Sequence, residues 1–318
     1  MKDKILITGA NGFVGCNLVL NLDLKKYDVY LVDIVNKNQL KSVLKNIKYV
    51  KYIKTNLANK VQVKKIGKYN FKYIFHFASI VGVNKVNDSY ETINSIINMT
   101  VNVINYLVKK NTVFIFSSTS EVYGNNPKLP WSENHEMHLG NTDSRRWNYA
   151  KCKSLMENLI IDESKKINFK YIILRFFNLY GPYQSENFVV PKFIKNSIKN
   201  KNCKINYPYN QFRCFTYIDD VVNFFLKIIS LKKVKSDIYN IGNNEPTKVI
   251  DLAKKIIHIS NSKSKVVKNK NYYLRIHFKD VIERKPDITK IYKHYKWKPT
   301  TSLSSGLHST LKWFRANL

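Results

Sequence analysis

The chain has 318 residues, 44% of them hydrophobic, enough to bury a substantial core in one large or two modest domains. No apolar run approaches the roughly 20 residues of a membrane span. The four cysteines (Cys16, Cys152, Cys203, Cys214) show no C-x-x-C spacing and no histidines at metal-ligand spacing. That argues against a metal module and predicts reduced thiols in a cytoplasmic protein.

The formal net charge is +32, yet the lysines spread along the whole chain and arginine, the better base and phosphate fork, is scarce. Lysine, asparagine and isoleucine abound together, a bias that AT-rich coding also produces. We therefore expect solvated basic faces that draw anionic substrates, with no specific nucleic-acid partner and no membrane. The N-terminus enters a strand directly, without a signal-peptide pattern.

The first predicted strand, 4–8, ends in Thr8-Gly9-Ala10-Asn11-Gly12-Phe13-Val14-Gly15, and a helical pattern of Val14, Leu18 and Leu22 follows. Strand, tight turn and helix N-terminus together bring bare backbone N–H groups to a pyrophosphate. The G-x-x-G-x-x-G spacing differs from the commoner G-x-G-x-x-G and is weak alone. The second strand, 28–33, supplies context by ending in Asp33, eighteen residues beyond Gly15. A carboxylate there accepts from ribose hydroxyls and repels a 2′-phosphate, and no arginine is near it in sequence. This favours NAD over NADP.

Further strands are predicted at 49–53, 72–77, 112–117 and 170–176, with helices clearest at 88–109 and 145–165. Near-continuous apolar strands alternating with helices imply a doubly wound parallel sheet. Beyond 176 the loops lengthen, and short strands mix with helices near 189–200, 219–231, 247–259 and 302–316. Lys263–Lys270 reads as a solvated loop.

The fifth strand runs into Ser117-Ser118-Thr119-Ser120-Glu121-Val122-Tyr123-Gly124, a cluster of hydroxyls and a carboxylate at the sheet's carboxyl edge, where ligands of such sheets bind. Arg146-Trp147-Asn148-Tyr149-Ala150-Lys151-Cys152-Lys153 then opens a helix. Tyr149 and Lys153 share a face at i,i+4. An ammonium beside a phenol stabilises phenolate and draws its pKa toward neutrality, fitting it to take a proton from a sugar hydroxyl.

With these motifs the chain resembles the extended short-chain dehydrogenase/reductases that modify nucleotide sugars: epimerases, 4,6-dehydratases and decarboxylases. Phe75-His76-Phe77-Ala78-Ser79, Arg175–Pro182, Arg213–Asp220, Asn240-Ile241-Gly242 and Arg284-Lys285-Pro286-Asp287 complete the match, in family order over nearly the whole length. The resemblance implies an α/β Rossmann-type doubly wound parallel sheet with a smaller C-terminal α/β substrate-binding domain. The expected division is 1–176 for NAD, with 214–243 returning to it, and 177–318 for the nucleotide sugar.

By resemblance, the catalytic group is Thr119, Ser120, Glu121, Tyr149, Lys153 and Arg284. NAD is expected against Gly9, Asn11, Gly12, Phe13, Val14, Asp33, Asn56, Leu57, Phe77, Ala78, Ser79, Ser117, Tyr149, Lys153 and Phe176. The substrate is expected against Glu121, Asn178, Val190, Lys192, Tyr207, Arg213 and Arg284. His76 is read as a structural or cofactor-side histidine rather than a catalyst, and Trp147, Trp297 and Trp313 as core or packing residues. Relatives pair through four helices, so a homodimer through 88–109 and 145–165 is expected.

Glu121 discriminates among reactions. Dehydratases of dTDP-glucose carry Asp-Glu where this chain has Ser120-Glu121, and simple 4-epimerases carry a small residue at the second position. Ser-Thr-Ser-Glu-Val-Tyr-Gly is similar to UDP-glucuronate decarboxylases, and Arg-Trp-x-Tyr and Arg-Cys-Phe-Thr to the decarboxylase of 4-amino-arabinose synthesis. UDP-glucuronate decarboxylation is the first expectation and 4-epimerisation the second. 4,6-Dehydration ranks below both, and a catalytically idle nucleotide- or nucleic-acid-binding Rossmann protein is the alternative from another class. Two departures stand out. Tyr207 and Tyr209 occupy positions usually glycine, so that loop bends differently and the base stays open. Asn56 replaces a common adenine-binding aspartate.

Overall fold

The computed structural model describes residues 2–81, 89–141, 145–269 and 281–318. In chain order the elements are β1 (Lys4–Thr8), α1 (Phe13–Asn21), β2 (Asp28–Asp33), α2 (Ser42–Lys45), β3 (Val50–Lys54), α3 (Lys60–Ile66), β4 (Tyr73–His76), α4 (Ser89–Leu107), β5 (Val113–Thr119), α5 (Asn148–Ile167) and β6 (Lys170–Phe176). There follow β7 (Leu179–Tyr180), α6 (Val189–Ile198), β8 (Cys203–Asn206), β9 (Phe212–Cys214), β10 (Thr216–Tyr217), α7 (Ile218–Ser230), β11 (Asp237–Ile241), β12 (Pro246–Lys248), α8 (Val249–Ile259), β13 (Val266–Asn269), β14 (Glu283–Arg284), α9 (Thr289–Tyr295) and α10 (Leu303–Asn317).

Strands covered on both faces need continuous apolar runs. Ile5, Leu6 and Ile7 of β1 and Phe114, Ile115 and Phe116 of β5 meet that need and are fully buried. The resulting sheet has the order β11-β6-β5-β4-β1-β2-β3. β1 pairs in parallel with β2 on one side and β4 on the other. The chain therefore winds outward in both directions from the β1/β4 junction, which puts a ligand crevice at the carboxyl ends of those strands. On one face, α4 brings Ile96, Val103, Ile104 and Leu107, and α5 brings Met156 and Ile160, onto Leu6, Ile74, Phe114 and Phe116. On the other, Phe225 of α7 packs edge-on to Phe75 at 5.4 Å.

Contacts divide the chain into two units: Met1–Val122, Leu139–Arg175 and Val222–Tyr239 in the first, and Tyr123–His138, Phe176–Val221 and Asn240–Leu318 in the second. α4 covers the helix expected at 88–109 (residue 88 lies outside the described residues), and a 3-10 turn at Arg145–Trp147 precedes α5. Trp147 is buried, and its ring lies under the Arg146 guanidinium at 4.7 Å.

The second unit holds short sheets: β12-β9-β14, β10-β7 and β13-β8. Tyr123 Oη donates to Asn240 Oδ1 at 2.6 Å, which ties the Tyr123–His138 excursion to this unit. Trp297 is buried and donates to the Asp220 carbonyl at 2.9 Å. Trp313 packs on Tyr183, ring centroids 4.7 Å apart. One expectation is corrected. Val266–Asn269, inside the stretch read as a solvated loop, is β13, paired in parallel with Cys203–Asn206. Val266 and Val267 supply β propensity that the surrounding lysines disguise.

Candidate active site

The glycine turn is closed too tightly for side chains. Gly9 has φ +65°, and a Cβ there meets Ala78 N at 2.8 Å. A Cβ on Gly12 meets the Gly9 carbonyl at 2.9 Å, and one on Gly15 meets it at 2.5 Å, with Ala10 Cα at 2.9 Å. α1 starts at Phe13 with Gly12 as N-cap and no side-chain cap. The first-turn N–H groups, including those of Phe13 and Val14, thus have no intrahelical partners. Positive φ, close approach and an uncapped helix N-terminus fit a dinucleotide pyrophosphate. Gly15→Ala should weaken NAD binding at least about tenfold and lower stability by about 1–3 kcal/mol, because the added methyl meets backbone that cannot yield. NAD titration and thermal melting check both.

Asp33 ends β2, where its carboxylate accepts from Asn11 N at 2.9 Å and Ile34 N at 2.8 Å. The fold also returns Lys41 to this turn. Its Nζ donates to the Asn11 carbonyl and its N–H to Asn11 Oδ1 at 2.8 Å. Burial lowers the Lys41 pKa, against the opposing pull of Cys16 and Asp33. Asn56 Oδ1 accepts from Ala58 N at 3.0 Å, and the Leu57 carbonyl from Asn102 Nδ2 at 2.9 Å. Ala78 N donates to Thr8 Oγ1 at 3.2 Å, which fixes the Phe77-Ala78-Ser79 segment after β4. Phe176 is half-buried at the end of β6.

His76 is fully buried, with Nδ1 2.8 Å from Thr8 Oγ1 and Nε2 3.3 Å from Thr100 Oγ1. Burial, and then the Lys153 charge, push its pKa down from 6.5 to about 3. It is a neutral packing group. The unfolded chain takes up a proton here that the folded chain refuses, so stability present above pH 6.5 is lost as pH falls toward 3. We expect a loss of about 3 kcal/mol on going to about pH 4. His76→Gln should flatten that part of a denaturation-versus-pH curve.

Three consecutive residues at the end of β5 face different tasks. The Ser117 carbonyl accepts from Lys153 Nζ at 2.7 Å, and Ser117 Oγ donates to the His76 carbonyl at 3.0 Å. Ser118 Oγ donates to Glu157. Thr119 Oγ1 accepts from Glu121 N at 3.2 Å. Ser120 is buried. α5 begins at Asn148, so Tyr149 and Lys153 sit in its first turns, with Lys153 Nζ 5.8 Å from the Tyr149 ring centroid and 4.6 Å from that of Phe116.

Burial shifts this pair in opposite directions. It pushes the Tyr149 phenol well above its ordinary range, with Glu121 adding to the rise and the Ser79 hydroxyl opposing it. It pushes Lys153 down to about 7, against Glu157 and then Cys152. The sequence led us to expect a phenol drawn toward neutrality by its lysine; burial opposes that pull.

Arg146 was not among the expected site residues. Its guanidinium forks onto Glu121, Nη1 to Oε2 and Nη2 to Oε1 at 3.1 Å. An arginine three residues before a candidate base was the available signal. The fork holds the Glu121 carboxyl group beside Tyr149.

The second unit brings Arg213 and Arg284, 71 residues apart in sequence, into register on β9 and β14. Both are buried. Arg213 Nη1 donates to the Ile282 carbonyl at 2.9 Å. Asn178 has φ +30°, and its Nδ2 is buried without a hydrogen-bond partner among the described residues. Val190 is buried in α6 while Lys192 is exposed. Tyr207 is 45% exposed and edge-on to Tyr209. Neither tyrosine takes positive φ, and the Tyr207–Pro208 peptide is cis.

A switch-point glycine turn, an acid ending the next strand and a half-buried tyrosine paired with a buried lysine define a dinucleotide-dependent α/β enzyme. Residues 5–242 match the model of the NAD dependent epimerase/dehydratase family. The chain belongs to that family, and its cofactor is NAD.

It is 31% identical over 320 residues to a UDP-N-acetyl-alpha-D-glucosaminuronate decarboxylase of Bacillus cytotoxicus, covering 99% of this chain and 98% of that one. The UDP-glucose 4-epimerase of Thermotoga maritima superposes with a TM-score of 0.84 at 26% identity, over 99% of both chains. The UDP-glucuronic acid 4-epimerase of Bacillus cereus, in complex with UDP-glucuronic acid and NAD, superposes with a TM-score of 0.83 at 25% identity, over 99% of this chain and 100% of that one. No helix among the described residues is long and apolar enough to cross a membrane.

Proposed function

We propose that the protein decarboxylates a UDP-linked uronate through a 4-keto sugar. The observation that carries this reading is the Glu121–Arg146 fork beside Tyr149 and Thr119. A 4-epimerase that only turns its ketone over has no use for a second acid–base group.

The turn from Gly9 to Val14, with Asp33, Asn56, Leu57, the Phe77–Ser79 segment, Ser117 and Phe176, would hold NAD. When bound, NAD supplies the acceptor for the C4 hydride and returns it. Thr119 orients the C4 hydroxyl, Tyr149 takes its proton, and Lys153 steadies the phenolate. The ketone makes the C5 carboxylate a β-keto acid, which loses CO₂ to leave an enolate. Glu121, or a water it orients, returns a proton to C5. Arg213 and Arg284 match an anionic diphosphate, and the unpartnered Asn178 amide matches a ligand oxygen. Val190, Lys192 and Tyr207 complete the substrate residues of this reading. Pairing of two copies through α4 and α5 also belongs to it. Tyr90 on α4 and Leu155 on α5 are exposed apolar residues.

Incubation with UDP-glucuronate and with its N-acetylated 2-amino counterpart tests the reading. Release of CO₂ with a UDP-pentose, or its acetamido equivalent, is the expected result. A C4-inverted uronate would favour the epimerase, and no product from either would overturn both.

A further inference from the structure

One turn beyond Lys153 on the same face of α5 lies Glu157, a carboxylate that the chemistry above does not use. It is 1% exposed. Its Oε1 accepts from Arg175 Nε at 3.1 Å and from the Ser118 hydroxyl, and its Oε2 from Arg175 Nη2 at 2.7 Å. Arg175, at the inner end of β6, is 2% exposed. A buried pair of this kind is weak evidence for stability, since apolar residues of similar volume often do as well or better. Its location suggests another use. Ser118, which holds the acid, lies between Ser117, whose carbonyl holds Lys153, and Thr119.

We propose that Glu157 is a positioning residue: anchored by Arg175 and Ser118, it is the counter-charge that keeps the buried Lys153 ammonium in place behind Tyr149. The lysine needs one. Burial strips its hydration, and Glu157 is the foremost influence opposing the resulting loss of its proton, followed by Cys152. Among the described residues, the other charged and titratable groups facing the pair are few. On α5 they are Tyr149 and Cys152. From β4 comes His76, held neutral; from β6, Arg175; and from the turn after β5, Glu121 with its Arg146. Glu157 is the one carboxylate among these a single helical turn from Lys153.

The proposal rests on reading Tyr149 and Lys153 as the acid–base pair. It is tested by ultraviolet titration of the phenolate in the NAD-loaded protein, taken as wild type minus Tyr149→Phe, and by the rising limb of kcat against pH with UDP-glucuronate. Without Glu157, Lys153 gives up its proton at lower pH, and Tyr149, lacking a cation beside it, ionises at higher pH. Glu157→Gln should therefore move both readouts up by about one pH unit or more. Glu157→Asp should stay near wild type.

The double variant Glu157→Gln/Arg175→Met removes both partners of the Glu157–Arg175 pair, so neither of them is left as an unpaired buried charge, and guards against simple misfolding. It should show the same upward displacement. A folded double variant that titrates as wild type would overturn the proposal and leave the pair purely structural. Lys153→Met separates the two levels. Intact turnover in that variant sinks the acid–base reading itself. Lost turnover there, with unmoved titrations in the Glu157 variants, sinks only the role of Glu157.

Discussion

Tyr149→Phe should reduce turnover at least about 10²-fold while NAD and nucleotide-sugar binding stay close to wild type. The phenol oxygen is the proton acceptor of the proposed chemistry. The ring contributes separately, packed against the core cluster beneath α5. Phenylalanine keeps that packing and removes only the oxygen. Equilibrium titration with each ligand, alongside kcat, separates the two contributions. Near-wild-type turnover in the purified variant would refute the assignment.

Glu121→Gln has the second large effect. Glutamine keeps the size and can still accept from Arg146, but it carries neither charge nor a transferable proton. Oxidation at C4 depends on Thr119, Tyr149 and Lys153, so substrate-dependent fluorescence of reduced nicotinamide should still appear. Product should then stall, because reprotonation at C5 has lost its acid–base group; a drop of about 10²-fold or more is expected. Unimpaired turnover would make Glu121 a positioning residue and shift the preference to 4-epimerisation. Relief of the carboxylate's upward push on Tyr149 should also ease phenol ionisation, moving the acid limb of the residual activity to lower pH.

What was legible in the sequence was local. The glycine turn, its strand and its helix lie within a dozen residues and obey one set of steric rules. Tyr149 and Lys153 share a helix face at i,i+4. Arg146 and Glu121 are 25 residues apart, and their fork exists only because the 3-10 turn before α5 returns to the end of β5. Lys41 reaches the glycine turn from 30 residues away. Arg213 and Arg284 meet only through strand register. Glu157 and Arg175 were hidden differently. Each is a charged residue in an apolar environment, on an otherwise buried helix face or in the Ile172-Ile173-Leu174 run of β6, and periodicity alone treats such a residue as an interruption. Val266–Asn269 was missed because lysines outweighed two valines.

The way the chain is threaded through its two units bears on how it must be made. The polypeptide passes from one unit to the other five times, after Val122, His138, Arg175, Val221 and Tyr239. A nascent chain that has emerged only as far as β6 therefore lacks β11, and β6 is left as an open edge ready to pair with another chain. Pairing β11 with β6 must wait some sixty residues of synthesis, a long loop to close. A fragment ending near residue 176 should aggregate rather than fold as a free nucleotide-binding module. In the cell the first unit stays exposed to chaperones and proteases until β11 has been made.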